Sequence, residues 1–293
     1  MRPLVLALFV VAAVAAGPAP EPAAGVLASA KGDVRVAARP AAIGDRLAGG
    51  AAVETGHGST ATLYLAGGSI VRLGAGQRYV VPAPGSRAPD GARLDPDSAK
   101  VTESGLWVLS RPGGSVLLAA MRGDEAVPDP RRARPLSPRY EVVSGTPAFV
   151  AIGGPRPVHV VVAEGKKTVW RSAPVDGEGP WSAPDLPSLA PGPLFSWRLE
   201  SPEGEGITPW SPFRTAPAST FEAGLSGLEP VEADVLRLGY YLESQAWSPL
   251  LAASARVLAA HPEAEIARRA WERAKEGLQL DEDGATALTR LLR

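Results

Sequence analysis

The chain has 293 residues, enough for about two domains, and a globular balance of 45% apolar and 21% charged residues. A net charge of −1 excludes a bulk field that would draw it to nucleic acid or an anionic membrane, and the lack of cysteine excludes disulfides, thiolate nucleophiles and Cys-ligated metals. Glycine (32) and proline (30) form roughly a fifth of the chain, below the ~25–30% of low-complexity segments, which favours turns and short strands over a helical bundle.

Residues 1–16 read MRPLVLALFVVAAVAA: a single charge at Arg2, an apolar run, then the small residues Ala13-Val14-Ala15-Ala16 before a Pro-rich stretch. This is the layout of a cleaved secretory signal peptide, with an uncleaved N-terminal anchor as the rival reading. The apolar run is short against the ~20 residues of a membrane span. No later segment is apolar enough, so no integral membrane segment is expected in the mature chain. Export without cysteine suits a bacterial periplasm, and the absence of a cysteine after the apolar run excludes a bacterial lipoprotein.

Residues 25–122 are expected to form a β domain. Val34-Arg35-Val36, Ala61-Thr62-Leu63-Tyr64-Leu65 and Ser69-Ile70-Val71-Arg72-Leu73 alternate with period two, which predicts strands with one face buried and one wet. Gly67-Gly68 between the last two runs signals a short hairpin. Residues 80–96 read as a loop, with strands resuming at Gly105-Leu106-Trp107-Val108-Leu109 and Ser115-Val116-Leu117-Leu118. Residues 123–138, rich in Pro and Arg, read as a linker.

The segments Gly44-Asp45-Arg46-Leu47, Val53-Glu54-Thr55-Gly56 and residues 59–73, with the Gly68-Ser69 turn, resemble the FecR domain family, although Gly67 stands where that family often has Asp. The resemblance implies a periplasmic β module. Proteins of this family relay envelope signals through a membrane helix and a cytoplasmic segment, neither of which is recognisable here, so their iron-regulatory role does not carry over.

Residues 139–216 form a second expected β domain, with strands near 147–152, 158–162, 168–171, 194–199 and 210–215. The segment Leu189-Ala190-Pro191-Gly192-Pro193-Leu194-Phe195-Ser196-Trp197-Arg198-Leu199 resembles the fibronectin type III or Ig-like core strand, with Phe195 in place of the usual Tyr. Residues 229–293 turn to Ala, Leu, Glu and Arg, and their apolar spacing predicts helices near 231–245, 248–260, 262–277 and 284–292, with Pro249 and Pro262 in first turns. Tyr240-Tyr241 and the run from Ala255 to Glu263 resemble a tetratricopeptide-type hairpin. The predicted fold class is therefore mainly β with a C-terminal α region: a FecR-like module, an Ig/fibronectin III-like sandwich, and a short helical appendage that docks on the β regions or on a partner.

Chemistry-bearing motifs are sparse. His57, His159 and His261 share no ligand spacing, and neither a metal nor another cofactor is expected. Asp281-Glu282-Asp283-Gly284 lacks the position-12 glutamate of a calcium loop and reads as an acidic helix start. The G-x-S-x-G elbow, the P-loop and a complete G-x-G-x-x-G are absent, so no catalytic residue is assigned. Among seven tryptophans, Trp197 and Trp170 read as core. Trp181, in a Gly/Pro loop, is the candidate ligand contact or a plug for the sandwich end. Arg131, Arg132 and Arg134, with Arg139, read either as a solvated linker or as a contact for an anionic envelope polymer. The expected role is a non-enzymatic periplasmic binding or scaffold protein recognising an envelope protein or a peptidoglycan-type polymer. A FecR-type signalling partner is the alternative, and an enzyme with a hidden carboxylate site is the third reading.

Overall fold

A computed structural model describes residues 23–84, 86, 92–111 and 133–292. The signal segment, the run 115–118 and the arginines Arg131 and Arg132 lie outside the described residues. Among the described residues, the first module holds nine strands: β1 (Ala23–Lys31), β2 (Val34–Val36), β3 (Arg39–Pro40), β4 (Arg46–Ala48), β5 (Ala52–Thr55), β6 (Thr60–Leu65), β7 (Ser69–Leu73), β8 (Arg78–Val80) and β9 (Ala92–Arg93). They form two antiparallel sheets, β4-β1-β6-β7-β9 and β3-β2-β5-β8, closed on Leu27, Leu47, Val53, Leu63 and Leu65. The β6–β7 hairpin closes at Leu65 opposite Ser69, and Gly67 and Gly68 turn it with φ of 83° and 85°. Only glycine fits at 68, because a Cβ there would lie 2.6 Å from the Cβ of Ala99.

The glycine- and threonine-bearing turns of residues 44–56 have local physical roles. Asp45 accepts the Ala42 amide at 2.8 Å and so closes the turn at Gly44. The Thr55 hydroxyl donates to the Gly74 carbonyl at 2.5 Å and accepts the Gln77 amide at 3.0 Å, which pins the strand-to-loop exit.

The expected wet face of the 61–65 run is dry. Every residue from Ala61 to Leu65 is buried, because helices cover the second face of this sheet. Thr62 and Tyr64, the polar-side positions, satisfy their hydroxyls there: Thr62 donates to Glu232 at 2.6 Å and Tyr64 to the Ala99 carbonyl at 3.0 Å. Period two located the strand but could not report what lies on its far side.

Residues 105–109 are helical and not a strand. They end α1 (Pro96–Ser110), whose N-cap Asp95 accepts the Ser98 amide at 3.0 Å and whose first position is Pro96. Leu106 and Leu109 continue the buried stripe of Ala99 and Thr102 at three- and four-residue spacing. That spacing, starting at Asp95-Pro96, outweighs the short apolar run.

The second module contains β10 (Arg134–Ser137), β11 (Glu141–Ser144), β12 (Val150–Ile152), β13 (His159–Glu164), β14 (Lys167–Arg171), β15 (Leu194–Glu200) and β16 (Ser211–Ala216). Residues 134–137, expected in the linker, thus form a strand. A pair β10-β12 faces the sheet β11-β16-β15-β13-β14, in which only β11–β16 runs parallel. Trp197 is fully buried and donates its indole N–H to the Pro138 carbonyl at 2.6 Å. Phe149 sits between Trp197 (centroids 5.2 Å apart) and Trp170 (6.0 Å).

The C-terminal region comprises α2 (Phe221–Gly224), α3 (Pro230–Glu243), α4 (Trp247–Ala260), α5 (Glu265–Leu278) and α6 (Glu282–Leu291). Pro262 lies in the turn before α5, three residues short of the first turn expected for it. These helices are not an appendage. With α1 they build the largest core, which also takes in Val26, Tyr64 and Ile70 from the first module and Leu136 and Val150 from the second. Antiparallel sheets with a C-terminal helical region therefore describe the molecule, and the helices join the two β modules. Among the described residues, no helix is long and apolar enough to cross a membrane.

Candidate functional site

The helices are tied to each β module by one buried glutamate. Glu232, third in α3, completes a capping box with Glu229. Its carboxylate also accepts the Ser29 hydroxyl (3.1 Å) and the Thr62 hydroxyl (2.6 Å), and pairs with Arg72 at 3.3 Å. Burial pushes this carboxyl up, but Thr62, the Glu229 amide, Ser29 and Arg72 outweigh burial and leave it below the ordinary glutamate range.

Glu141, on β11, does the same for the second module. Its Oε1 accepts the Ser248 hydroxyl (2.8 Å), the Ser137 hydroxyl (3.0 Å) and the Arg139 amide (3.2 Å), and its Oε2 accepts the Ser248 amide at 2.8 Å. Helix α4 starts on Ala246, which has no side chain to cap it. Its second residue is Ser248, so the cap comes from Glu141, 107 positions earlier. Burial pushes the Glu141 carboxyl above the usual range, against the opposing pull of the Ser248, Ser137 and Arg139 donors.

Beside Glu141 opens a cleft of about 540 Å³ between β11, the segment leading to α2, and helices α3 and α4. This volume falls inside the ~300–1,000 Å³ of ligand sites. One wall is aromatic: Phe221 and Tyr240 stack with centroids 3.9 Å apart, and Tyr241 meets both edge-on. The Tyr240 hydroxyl bonds Ser219 at 2.6 Å, and that of Tyr241 donates to Glu222. Burial and Glu222 push the Tyr241 phenol well up. Glu222 also takes Arg237 in a two-pronged pair, and Arg237 continues through Asp234 to Arg256. This network fixes the wall from behind. Val142, Val143 and Ser144 form the opposite side. Among the described residues, the lining includes two carboxylates, Glu141 and Glu222, and no Lys, Arg or His.

What the arrangement can do is hold an apolar or amphipathic group against a rigid wall. Ser137 and Ser248 sit on the Glu141 carboxylate inside the protein, 5% and 4% exposed, with no histidine beside them to act as base. His57 is exposed in a turn, His159 bonds the Ser172 carbonyl at 2.8 Å, and His261 follows α4 beside Glu263 at 3.4 Å. Among the described residues, no group of three or more His, Asp or Glu is placed to hold a metal ion.

The residues singled out in the sequence lie elsewhere. Trp181 is half-buried at the sandwich end, where it exchanges backbone hydrogen bonds with Phe149 at 2.9 and 3.1 Å, and Arg156 covers its ring at 5.3 Å. It plugs the second module and does not line the cleft. The tryptophan with the greater exposure is Trp210, at 40%, which carries Arg198 on its face at 4.5 Å. Arg134 is not a solvated linker residue. It leaves β10 to hold both oxygens of Asp281, the N-cap of α6, at 2.9 and 3.0 Å. Arg139 is buried against the Tyr140 ring.

Sequence reasoning missed Glu141, Ser137 and Ser248. One signal was present: the α4 start at Ala246-Trp247 lacks a Ser, Thr, Asp or Asn cap, which implies a cap from elsewhere in the fold. Compared with family models, curated proteins and solved structures, the chain matches none of them.

Proposed function

We propose that this protein is a non-enzymatic scaffold of the bacterial cell envelope, exported to the periplasm by cleavage of residues 1–16, that holds an envelope protein or a wall polymer at the joint of its modules. On this reading the N-terminal half is a FecR-like β module, residues 139–216 are an Ig- or fibronectin III-like sandwich, and the helices are tetratricopeptide-like hairpins turned to internal bracing. The observation that carries the proposal is the joint itself. Two buried glutamates lock both β modules to one helical core, and the cleft that opens beside Glu141 is walled by aromatics whose polar atoms are already committed to internal bonds. A rigid preformed recess with spent acid–base groups suits recognition better than turnover.

The test is fractionation followed by co-sedimentation. The chain is expected in the periplasmic fraction, shortened by its signal. Pelleting with insoluble peptidoglycan at both low and high salt supports wall recognition, and pelleting lost at high salt marks non-specific electrostatic contact. Recovery in the cytoplasm, or an unshortened chain held in the inner membrane, overturns the periplasmic scaffold. The second of these results favours the FecR-type signalling partner, for which the resemblance over residues 44–73 is the support.

A further inference from the structure

We propose that the cleft beside Glu141 binds an extended polypeptide segment of a partner, which adds as a strand to the open edge of β11. The inference deepens the scaffold reading and takes its envelope setting from it. β11 is an edge strand: β16 lies on one side and the cleft on the other. Val142 turns its amide away from β16 and donates to the Gln245 carbonyl at 3.0 Å. The period-two alternation of a strand then aims the N–H and C=O of Ser144 the same way, into the cleft. Gln245 closes one end of that edge. Ser144 is exposed, and no backbone partner takes its amide among the described residues.

An unpaired edge beside an apolar wall is the geometry of strand addition, in which main-chain bonds hold the guest and alternate side chains enter the recess. Here those side chains would meet Phe221, Tyr240 and Ala252. The chemistry chooses among occupants. An anionic wall polymer finds no cationic side chain in the lining, whereas a segment alternating apolar and basic residues finds the apolar wall and no cation to repel it.

The probe is a fluorescein-labelled, end-blocked hexapeptide of alternating valine and lysine, read by anisotropy on the purified chain. It is expected to bind. Ser144→Pro removes the edge donor and is expected to weaken binding at least tenfold, while Ser144→Ala stays within twofold. Ala252→Trp, which fills the recess, weakens it at least tenfold. A valine–glutamate hexapeptide binds at least threefold less tightly. Should Ser144→Pro fail to fold by circular dichroism, hydrogen exchange on the unaltered chain decides: peptide is expected to slow the Ser144 amide at least tenfold. No binding, binding indifferent to Ser144→Pro, an unprotected Ser144 amide, or displacement of the peptide by sulfated dextran each overturns the proposal. Because these readouts use purified protein, a cytoplasmic location would sink the scaffold reading and leave this one standing.

Discussion

Gly105 of α1 and Gly239 of α3 face each other with no room for a side chain on either. A Cβ on Gly105 would lie 2.0 Å from the Gly239 carbonyl oxygen, and one on Gly239 would lie 2.4 Å from the Thr102 carbonyl oxygen. The two helix backbones touch, and this contact draws α1 out of the β-rich half of the chain into the helical core.

Replacing Gly105 with alanine should therefore destabilise the protein, although alanine is the better helix former by about 1 kcal/mol. Overpacking against backbone typically costs about 1–3 kcal/mol, and here neither partner can swing aside. We expect Gly105→Ala and Gly239→Ala each to lower unfolding free energy by about 2 kcal/mol in urea titrations. A gain in stability from either would show that the helices are free to separate.

Glu232 makes the first module's attachment dependent on acid. Its folded carboxyl sits below the ordinary range, so its contribution is present above that range and is lost as pH falls through the lowered value. At neutral pH, Glu232→Gln should cost about 1–3 kcal/mol, the scale of hydrogen bonds to a charged group. The gap between the two proteins should close as pH drops toward 3. A gap independent of pH would assign the loss to shape and not to charge.

Glu141 has the opposite sign. Burial raises its carboxyl, so the stability tied to its neutral form is present at low pH and is lost as pH rises through the raised value. Hydrogen exchange at the Ser248 amide should therefore quicken with pH beyond the intrinsic trend, and Glu141→Gln should remove that excess. Glu141→Ala, which removes the acceptor of the Ser248 and Arg139 amides and of the Ser137 hydroxyl, should cost about 2–4 kcal/mol.

At the far end of the second module, Asp281 both caps α6, accepting the Gly284 amide at 2.7 Å, and takes Arg134. Loss of a cap costs about 0.5–2 kcal/mol, while a half-exposed ion pair is worth about 0–1 kcal/mol. Thermal melts should show Asp281→Ala shifting the midpoint more than Arg134→Ala. The reverse order would make Arg134 the anchor and the cap incidental.

Much of the secondary structure was legible because it is local. Alternation marked β2, β6 and β7, and apolar spacing marked α3 and α4, with Pro249 in the first turn of α4. Where reading failed, a distant element had intervened. Residues 105–109 looked like a strand because five apolar or small residues in a row have no period, and Asp95-Pro96 ten residues earlier was the start signal that resolves them. Arg134 looked solvated because its partner Asp281 is 147 residues away.

The sequence by itself determined the order of the parts: a β-rich first half and helices at the end, both announced by side-chain periodicity within a few turns of chain, and between them a second β module marked by short strand-like runs around Trp197. Only the tertiary structure decided that the helices are the joint and not an appendage, that Thr62 and Tyr64 face protein and not water, and that the cleft lies beside Glu141. Those facts rest on contacts between residues more than a hundred positions apart, such as Glu141 with Ser248 and Thr62 with Glu232. A carboxylate in a sequence reads as a solvated charge. It becomes a buried cap only when a helix that lacks one folds against it.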